Sequence, residues 1–117
     1  MSSTSDCVFC GIAEGRIPSD IIREDERTLA FRDTNPQAPV HVLVIPRTHL
    51  SSLDEADPED AELLGALLLA AREVARREGI AESGYRTVIN TGDEGGQTVG
   101  HVHVHVLGGR SLKWPPG

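Results

Sequence analysis

Six consecutive residues, His101-Val102-His103-Val104-His105-Val106, alternate imidazole with valine. On an extended strand this alternation sets the three imidazoles on one face, about 6.7 Å apart, and the valines on the other. Imidazole is a competent nucleophile at neutral pH, and a covalent phospho-imidazole divides one hard displacement at phosphorus into two easier ones. A second imidazole two residues on, with a hydroxyl such as Thr98, would donate to non-bridging oxygens or to the leaving atom. That is the charge stabilisation phosphoryl-type transfer needs. Two other readings of the same row are an exposed histidine face and a metal-binding face. Just ahead of it, Gly92, Gly95, Gly96 and Gly100 permit positive φ and close backbone approach, so amide N–H groups there can point at an anion. A wide turn has the same composition.

The two cysteines stand in one motif, Cys7-Val8-Phe9-Cys10. In a reducing compartment this spacing reads as a metal or redox pair, or as two reduced core thiols, rather than as a structural disulfide. Asp33 and Asn90, taken singly, fit turn or strand-end positions.

These residues need elements to hold them. Residues 1–6 read as a disordered lead, and 7–14 as a short helical turn stopped by Gly15 and Pro18. Strands are expected over 21–24 and 28–32, joined at Asp25-Glu26, and over 40–45 between Pro39 and Pro46. Asp57 before Pro58 caps a helix, with acidic residues in its first turn. Leu64, Leu67, Leu68, Ala71, Val74 and Ala75 then follow the helical period as far as Gly79. Leu63 and Leu69 widen its apolar surface beyond one stripe. Further strands are expected over 85–90 and 100–107. The order βββ, helix, ββ predicts an α+β fold: a five-stranded antiparallel sheet with one long and one short helix packed on one face.

At 117 residues the chain is read as a single domain, 1–117, with 108–117 as a carboxy-terminal tail. Its 38% hydrophobic and 25% charged residues are ordinary for a globular protein, and Phe9, Phe31, Tyr85 and Trp114 are its only aromatics. That scarcity argues against a base-stacking surface, and a net charge of −7 argues against a nucleic-acid polymer as partner. A mononucleotide with one phosphate stays compatible, since a local site overcomes a modest global field. The opening Met-Ser-Ser-Thr-Ser has no basic and apolar leader, and no run reaches the roughly 20 apolar residues that span a bilayer. A cytoplasmic location is expected.

The segment His101-Val-His103-Val-His105-Val-Leu107 resembles the signature of the histidine triad (HIT) superfamily. The segment from Pro36-Gln37-Ala38-Pro39-Val40-His41 to Pro46 extends the resemblance. So do Tyr85-Arg86 to Asn90, Gly95-Gly96-Gln97 and the ending Leu107-Gly108-Gly109-Arg110 to Trp114-Pro115-Pro116-Gly117. Together these are similar to the Hint branch, over essentially residues 7–117. The resemblance implies a purine nucleoside phosphoramidase that cleaves P–N bonds in adenosine or guanosine 5′-monophosphoramidates, with aminoacyl adenylates as a further substrate class. His103 would be the nucleophile that becomes nucleotidylated. His105 and Thr98 would hold phosphate oxygens, with Thr98 also near the leaving group, and His41 would be a fourth, supporting histidine. Asp33, beside Thr34, would bind the ribose hydroxyls, while Asn90, Gly96, Gln97 and Val99 would line the phosphate side. Thr98 stands where the branch usually has serine, which bears on leaving-group preference. Cys7, Cys10, His49 and His101 correspond to a structural zinc set that staples the amino-terminal segment to the sheet. The resemblance also implies a homodimer with a continuous ten-stranded sheet, in which Trp114 reaches toward the partner's site. The rival readings are a dinucleoside polyphosphate hydrolase of the sister branch and a zinc-stabilised nucleotide-binding or scaffold module with little turnover.

Overall fold

A computed structural model describes residues 6–117. Of the lead expected to be disordered, residues 1–5 lie outside the described residues.

The elements run α1 (Val8–Ala13), β1 (Ile21–Glu24), β2 (Thr28–Arg32), β3 (Val40–Pro46), α2 (Ala61–Arg77), β4 (Tyr85–Val88) and β5 (Val104–Gly108). The five strands form one sheet in the order β1-β2-β3-β5-β4, with every pairing antiparallel. Asp25 makes the first hairpin: its Oδ1 accepts the N–H groups of Arg27 (2.9 Å) and Thr28 (2.8 Å) and so replaces ladder partners through the turn. Asp57 and Pro58 start the long helix as expected, through a 3-10 turn over Pro58–Asp60 in which the Asp57 N–H donates to Asp60 Oδ2 at 2.9 Å. The helix stops at Gly79, whose φ of +75° lets the Ile80 N–H reach back to the Ala75 carbonyl at 3.0 Å.

The two helices cover opposite faces of the sheet, which corrects the expectation that both pack on one. Ala30, Val42, Val44, Val104 and Val106 face α2, meeting Leu67, Ala70, Ala71, Val74 and Ala75. The alternate residues Leu29, Phe31, Leu43 and Ile45 face α1, meeting Phe9 and Ile12. An unbroken apolar run such as Val42–Ile45, buried throughout, marks a strand covered on both sides.

Two strand limits also differ from expectation. β4 ends at Val88 rather than Asn90, and β5 begins at Val104 rather than Gly100, which leaves His101 and His103 ahead of the ladder. The last pair between β3 and β5 is Val44 with Val104, so the next donor on β3 would be Pro46, which has no N–H. Upstream of that point the backbone turns to other partners: the Val102 N–H donates to the Leu50 carbonyl at 2.6 Å.

Candidate active site and metal-ligand cluster

The chemistry-bearing side chains gather on the α1 face. On that face β5 sets His105 opposite Leu43 of β3, and His41 lies two residues before Leu43. The Gln37 N–H donates to His41 Nδ1 at 3.0 Å, so this nitrogen carries a lone pair and the His41 proton sits on Nε2. His41 Nε2 lies 2.9 Å from His105 Nδ1 and 3.4 Å from Asp33 Oδ2, and donates to them. His105 Nδ1 is therefore an acceptor and its own proton is on Nε2, a buried atom without a hydrogen-bond partner. Burial, reinforced by the charges of His103 and His41 and opposed by Asp33, brings His105 down to about 4, so the ring is neutral at pH 7. Burial lowers His41 too, against the pull of Asp33.

The His103 tautomer is fixed in the opposite sense. Its Nδ1 lies 2.7 Å from the His101 carbonyl, which can only accept, so Nδ1 holds the proton and Nε2 the lone pair. The ring is 4.9 Å from that of His105, centroid to centroid, and meets Phe9 edge-on at 5.1 Å and 87°. A lone pair on one imidazole thus sits beside a free N–H donor on the next.

Both rings line a pocket of about 660 Å³. Its apolar lining includes Phe9, Ile12, Ile17, Phe31 and Leu43, and Asp33, Thr34, Thr98, Val99, His103 and His105 line it as well. Asp33 Oδ1 accepts the Asn35 N–H at 2.9 Å, which orients the carboxylate at the end of β2. The apolar wall is what the sequence reading did not name. Its signal was the spacing of Phe9 and Ile12 on one face of a short helix. Gly92 and Gly96 take φ of +72° and +82° in the turn before Thr98, as their lack of Cβ allows. Gln97 spends its side chain on that turn, with Nε2 donating to the Ser51 (2.7 Å) and Val99 (3.0 Å) carbonyls. Asn90, Gly96 and Gln97 are not among the residues lining the pocket.

His101 faces α1, as His103 and His105 do and as the alternation predicts, but it does not line the pocket with them. It is fully buried and its Nε2 donates to the Pro46 carbonyl at 2.9 Å. Its Nδ1 lone pair points at sulfur, 3.3 Å from Cys7 Sγ and 3.5 Å from Cys10 Sγ, while His49 Nδ1 lies 3.3 Å from Cys10 Sγ. The four ligand atoms fall within 4.8 Å of one another. Tetrahedral zinc with Zn–S of about 2.3 Å and Zn–N of about 2.0 Å has S···N edges near 3.5 Å, and the observed separations fit that set. Burial and the Cys7 thiol push Cys10 up to about 11, so a cation is what would favour thiolate there. Cys7, Cys10, His49 and His101 can hold a metal ion of the zinc type.

Comparison with known proteins agrees with this geometry. The HIT domain matches residues 14–112. An uncharacterized HIT-like protein of Synechococcus elongatus is 57% identical over 114 residues, spanning 97% of this chain and 99% of that protein. A 14 kDa zinc-binding protein of Zea mays is 51% identical over 115 residues, 97% of this chain and 89% of that one. Among solved structures, a HIT family hydrolase from Legionella pneumophila superposes with a TM-score of 0.94 at 48% identity, covering 96% of this chain and all (100%) of its own. A histidine triad nucleotide-binding protein from Candida albicans gives 0.81 at 30% identity, with 94% and 83% covered. A Zn-bound histidine triad family protein from Mycobacterium smegmatis gives 0.78 at 34% identity, with 96% and 83% covered.

Proposed function

The chain belongs to the HIT-domain family, and on that premise we propose that it is a Hint-branch hydrolase of purine nucleoside phosphoramidates, working through a nucleotidyl-His103 intermediate. The observation that carries the reading is the pair of opposed tautomers. The His101 carbonyl leaves His103 Nε2 as a lone pair, and the Gln37 N–H, relayed through His41, leaves His105 Nε2 as a free buried donor.

The pocket divides as a nucleoside monophosphate does. The base lies against Phe9, Ile12, Ile17, Phe31 and Leu43, the ribose hydroxyls donate to Asp33, and the phosphate lies between Thr98, Val99 and the two histidines. His103 Nε2 attacks phosphorus, the P–N bond to the amine breaks, and the departing nitrogen takes a solvent proton relayed by the Thr98 hydroxyl. His105 Nε2–H donates to the non-bridging oxygens, where charge grows in the transition state. Water then attacks phosphorus and gives its proton to solvent through the Thr98 hydroxyl, the P–N bond to His103 breaks, its lone pair is restored, and AMP or GMP leaves. The extra methyl of Thr98 narrows χ1 and with it the set of amines that fit.

Cys7, Cys10, His49 and His101 would hold a structural zinc ion, a set in keeping with the zinc-binding relative and the Zn-bound neighbour. No helix among the described residues is long and apolar enough to cross a membrane, and reduced thiols in such a site suit the cytoplasm. A two-fold homodimer is part of the same reading. Leu68 and Leu69 on α2 are 49% and 54% exposed, and Tyr85 on the edge strand β4 is also exposed, an apolar face and an open edge that a second copy would cover. Arg86 Nη2 donates to the Leu112 and Lys113 carbonyls, which lays the tail along β4 and leaves Trp114 80% exposed, free to reach the partner's site.

The experiment is to mix the protein with adenosine 5′-phosphoramidate and follow AMP release, with rapid acid quench to trap labelled protein. Turnover with an acid-labile nucleotidyl adduct is expected. Turnover without an adduct would replace covalent catalysis by direct attack of water, and no turnover would leave a binding module.

A further inference from the structure

The four-residue metal-ligand cluster and the nucleophile share a residue and a helix. His101 places its Nδ1 among Cys7 and Cys10, its Nε2 on the Pro46 carbonyl, and its own carbonyl on His103 Nδ1–H. The ring that would ligate a metal therefore belongs to the residue that sets the tautomer of the nucleophile. The helix is α1. Its six residues are too few to persist alone, and Cys7 caps it, Sγ accepting the Cys10 N–H at 3.3 Å. Between the two cysteines it carries Phe9, whose ring meets His103 at 5.1 Å, His101 at 5.9 Å and Phe31 at 5.4 Å, all edge-on. Val8, Phe9 and Ile12 are also one wall of the nucleotide pocket.

A second cavity, of about 500 Å³, is bordered by Asp6, Cys7, His49, Ser51 and Gly100. It is backed by Val8, Thr98 and Val99, the same residues that line the nucleotide pocket from within. Two of the four cluster residues, Cys7 and His49, thus border a cavity other than the nucleotide pocket, and the two cavities share three lining residues.

We infer that the Cys7–Cys10–His49–His101 cluster is a positioning device for His103, acting through Phe9 and the His101 carbonyl, so that a bound metal ion sets nucleotide affinity and turnover as well as the stability of the amino-terminal segment. The inference rests on the nucleotide-hydrolase reading and adds a control point to it. Without the ion, four soft contacts at hydrogen-bond distance are all that hold the Cys7 and Cys10 thiols, and α1 loses a side-chain anchor at both ends of its first turn. Phe9 then leaves the edge of His103, and the apolar wall opens. Phe9 is a positioning residue toward His103, and a wall toward the base.

The test compares zinc-loaded and chelator-stripped protein, thiols kept reduced, at 10 °C. AMP affinity is read calorimetrically and fold by circular dichroism. Stripped protein should keep its sheet, bind AMP at least tenfold more weakly, and recover on adding one equivalent of Zn²⁺. Phe9→Ala in the loaded protein should weaken AMP to a similar degree, and stripping that variant should add little, since both changes remove one linkage. Equal AMP affinity in loaded and stripped protein, with only the melting temperature lowered, would overturn the inference. Should stripped protein unfold even at 10 °C, Phe9→Leu in the loaded protein decides. It keeps an apolar wall but loses the ring edge on His103, so kcat should fall about tenfold while AMP affinity stays within about twofold; an unchanged kcat overturns the inference. Loaded protein that binds no AMP at all would defeat the nucleotide reading, and this inference with it. Loaded protein that binds AMP but turns over no phosphoramidate would defeat only the reaction, because the affinity comparison still decides the coupling.

Discussion

Acid should unfold this protein through histidines that the fold keeps neutral, and His105 allows the size of the effect to be worked out. Burial and the neighbouring imidazoles bring it from an ordinary 6.5 down to about 4. A group depressed on folding contributes stability that is fully present above its unfolded value, near pH 6.5, and is lost as pH falls toward its folded value, near 4, because the unfolded chain takes up the proton first. The whole depression corresponds to about 3 kcal/mol, of which about 2 kcal/mol is already gone at pH 5. Against a total stability of roughly 5–15 kcal/mol for a domain, that is a visible fraction. His41 and His101 are depressed by burial as well and act in the same direction. Urea unfolding of the wild type and of His105→Gln, from pH 7.5 down to pH 4.5, isolates the His105 share, because the other histidines and the metal-ligand cluster are common to both proteins. The stability difference between the two should shrink by about 2 kcal/mol between pH 7 and pH 5. Curves that stay parallel across that range would mean that His105 takes up its proton at an ordinary pH in the fold, and the neutral-donor role assigned to its Nε2 would go with them.

His103→Ala should abolish phosphoramidate turnover while leaving AMP affinity within a few-fold, because the nucleophile acts on the transition state more than on the ground state; substantial residual turnover would remove His103 from that role. Asp33→Asn should raise KM for ribonucleotide substrates by about tenfold and leave 2′,3′-dideoxy substrates unaffected, if the carboxylate binds the diol; steady-state kinetics on the substrate pair reads this directly. Gly95→Ala should destabilise by about 1–3 kcal/mol in thermal or urea unfolding, since a Cβ there would run into the Thr91 carbonyl of its own turn. Light scattering at low micromolar concentration should give twice the 12.6 kDa chain mass, and a monomeric mass with full activity would refute the shared-site arrangement.

The parts of the fold that local chemistry dictates were legible in advance. The Asp25 turn, the Asp57-Pro58 helix start, the Gly79 stop and all five strands follow from turn residues, caps and hydrophobic period. What period alone does not disclose is which side a partner comes from. The run Val42–Ile45 is apolar on both faces, so it is compatible with helices on one side or on two, and only the tertiary packing of Phe9 and Ile12 decides. The different surroundings of the three histidines stayed hidden for a similar reason. Alternation gives the three imidazoles a common side but not what each meets there, and the ladder stops at Pro46 because the partner strand has no further donor. His101 is therefore free to turn its ring into the cysteines while His103 and His105 stay at the pocket. The cysteine pair and His49 could be named from the family resemblance, but not the contact of Phe9 with His103, which joins residues 94 positions apart and leaves no periodic trace.

Stability and chemistry are divided between the two faces of one sheet, and the register between β3 and β5 ties them together. Val42 pairs with Val106 and Val44 with Val104, all four fully buried under the alanines of α2. The residues alternating with them on the opposite face are His41, Leu43 and His105. A slip of one residue in β5 would carry His105 under α2 and put a valine in its place at the pocket. The free energy of burying the valines therefore also fixes the 2.9 Å approach of His41 to His105, a contact whose own hydrogen bond is worth only about 1 kcal/mol. Precision at the site is thus borrowed from the α2 face, where large-to-small changes such as Val104→Ala act on catalysis only by loosening register. Changes in α1, by contrast, touch the pocket and His103 directly. The short helix, with little stability of its own, is the element through which the site can be adjusted while the rest of the sheet stays as it is.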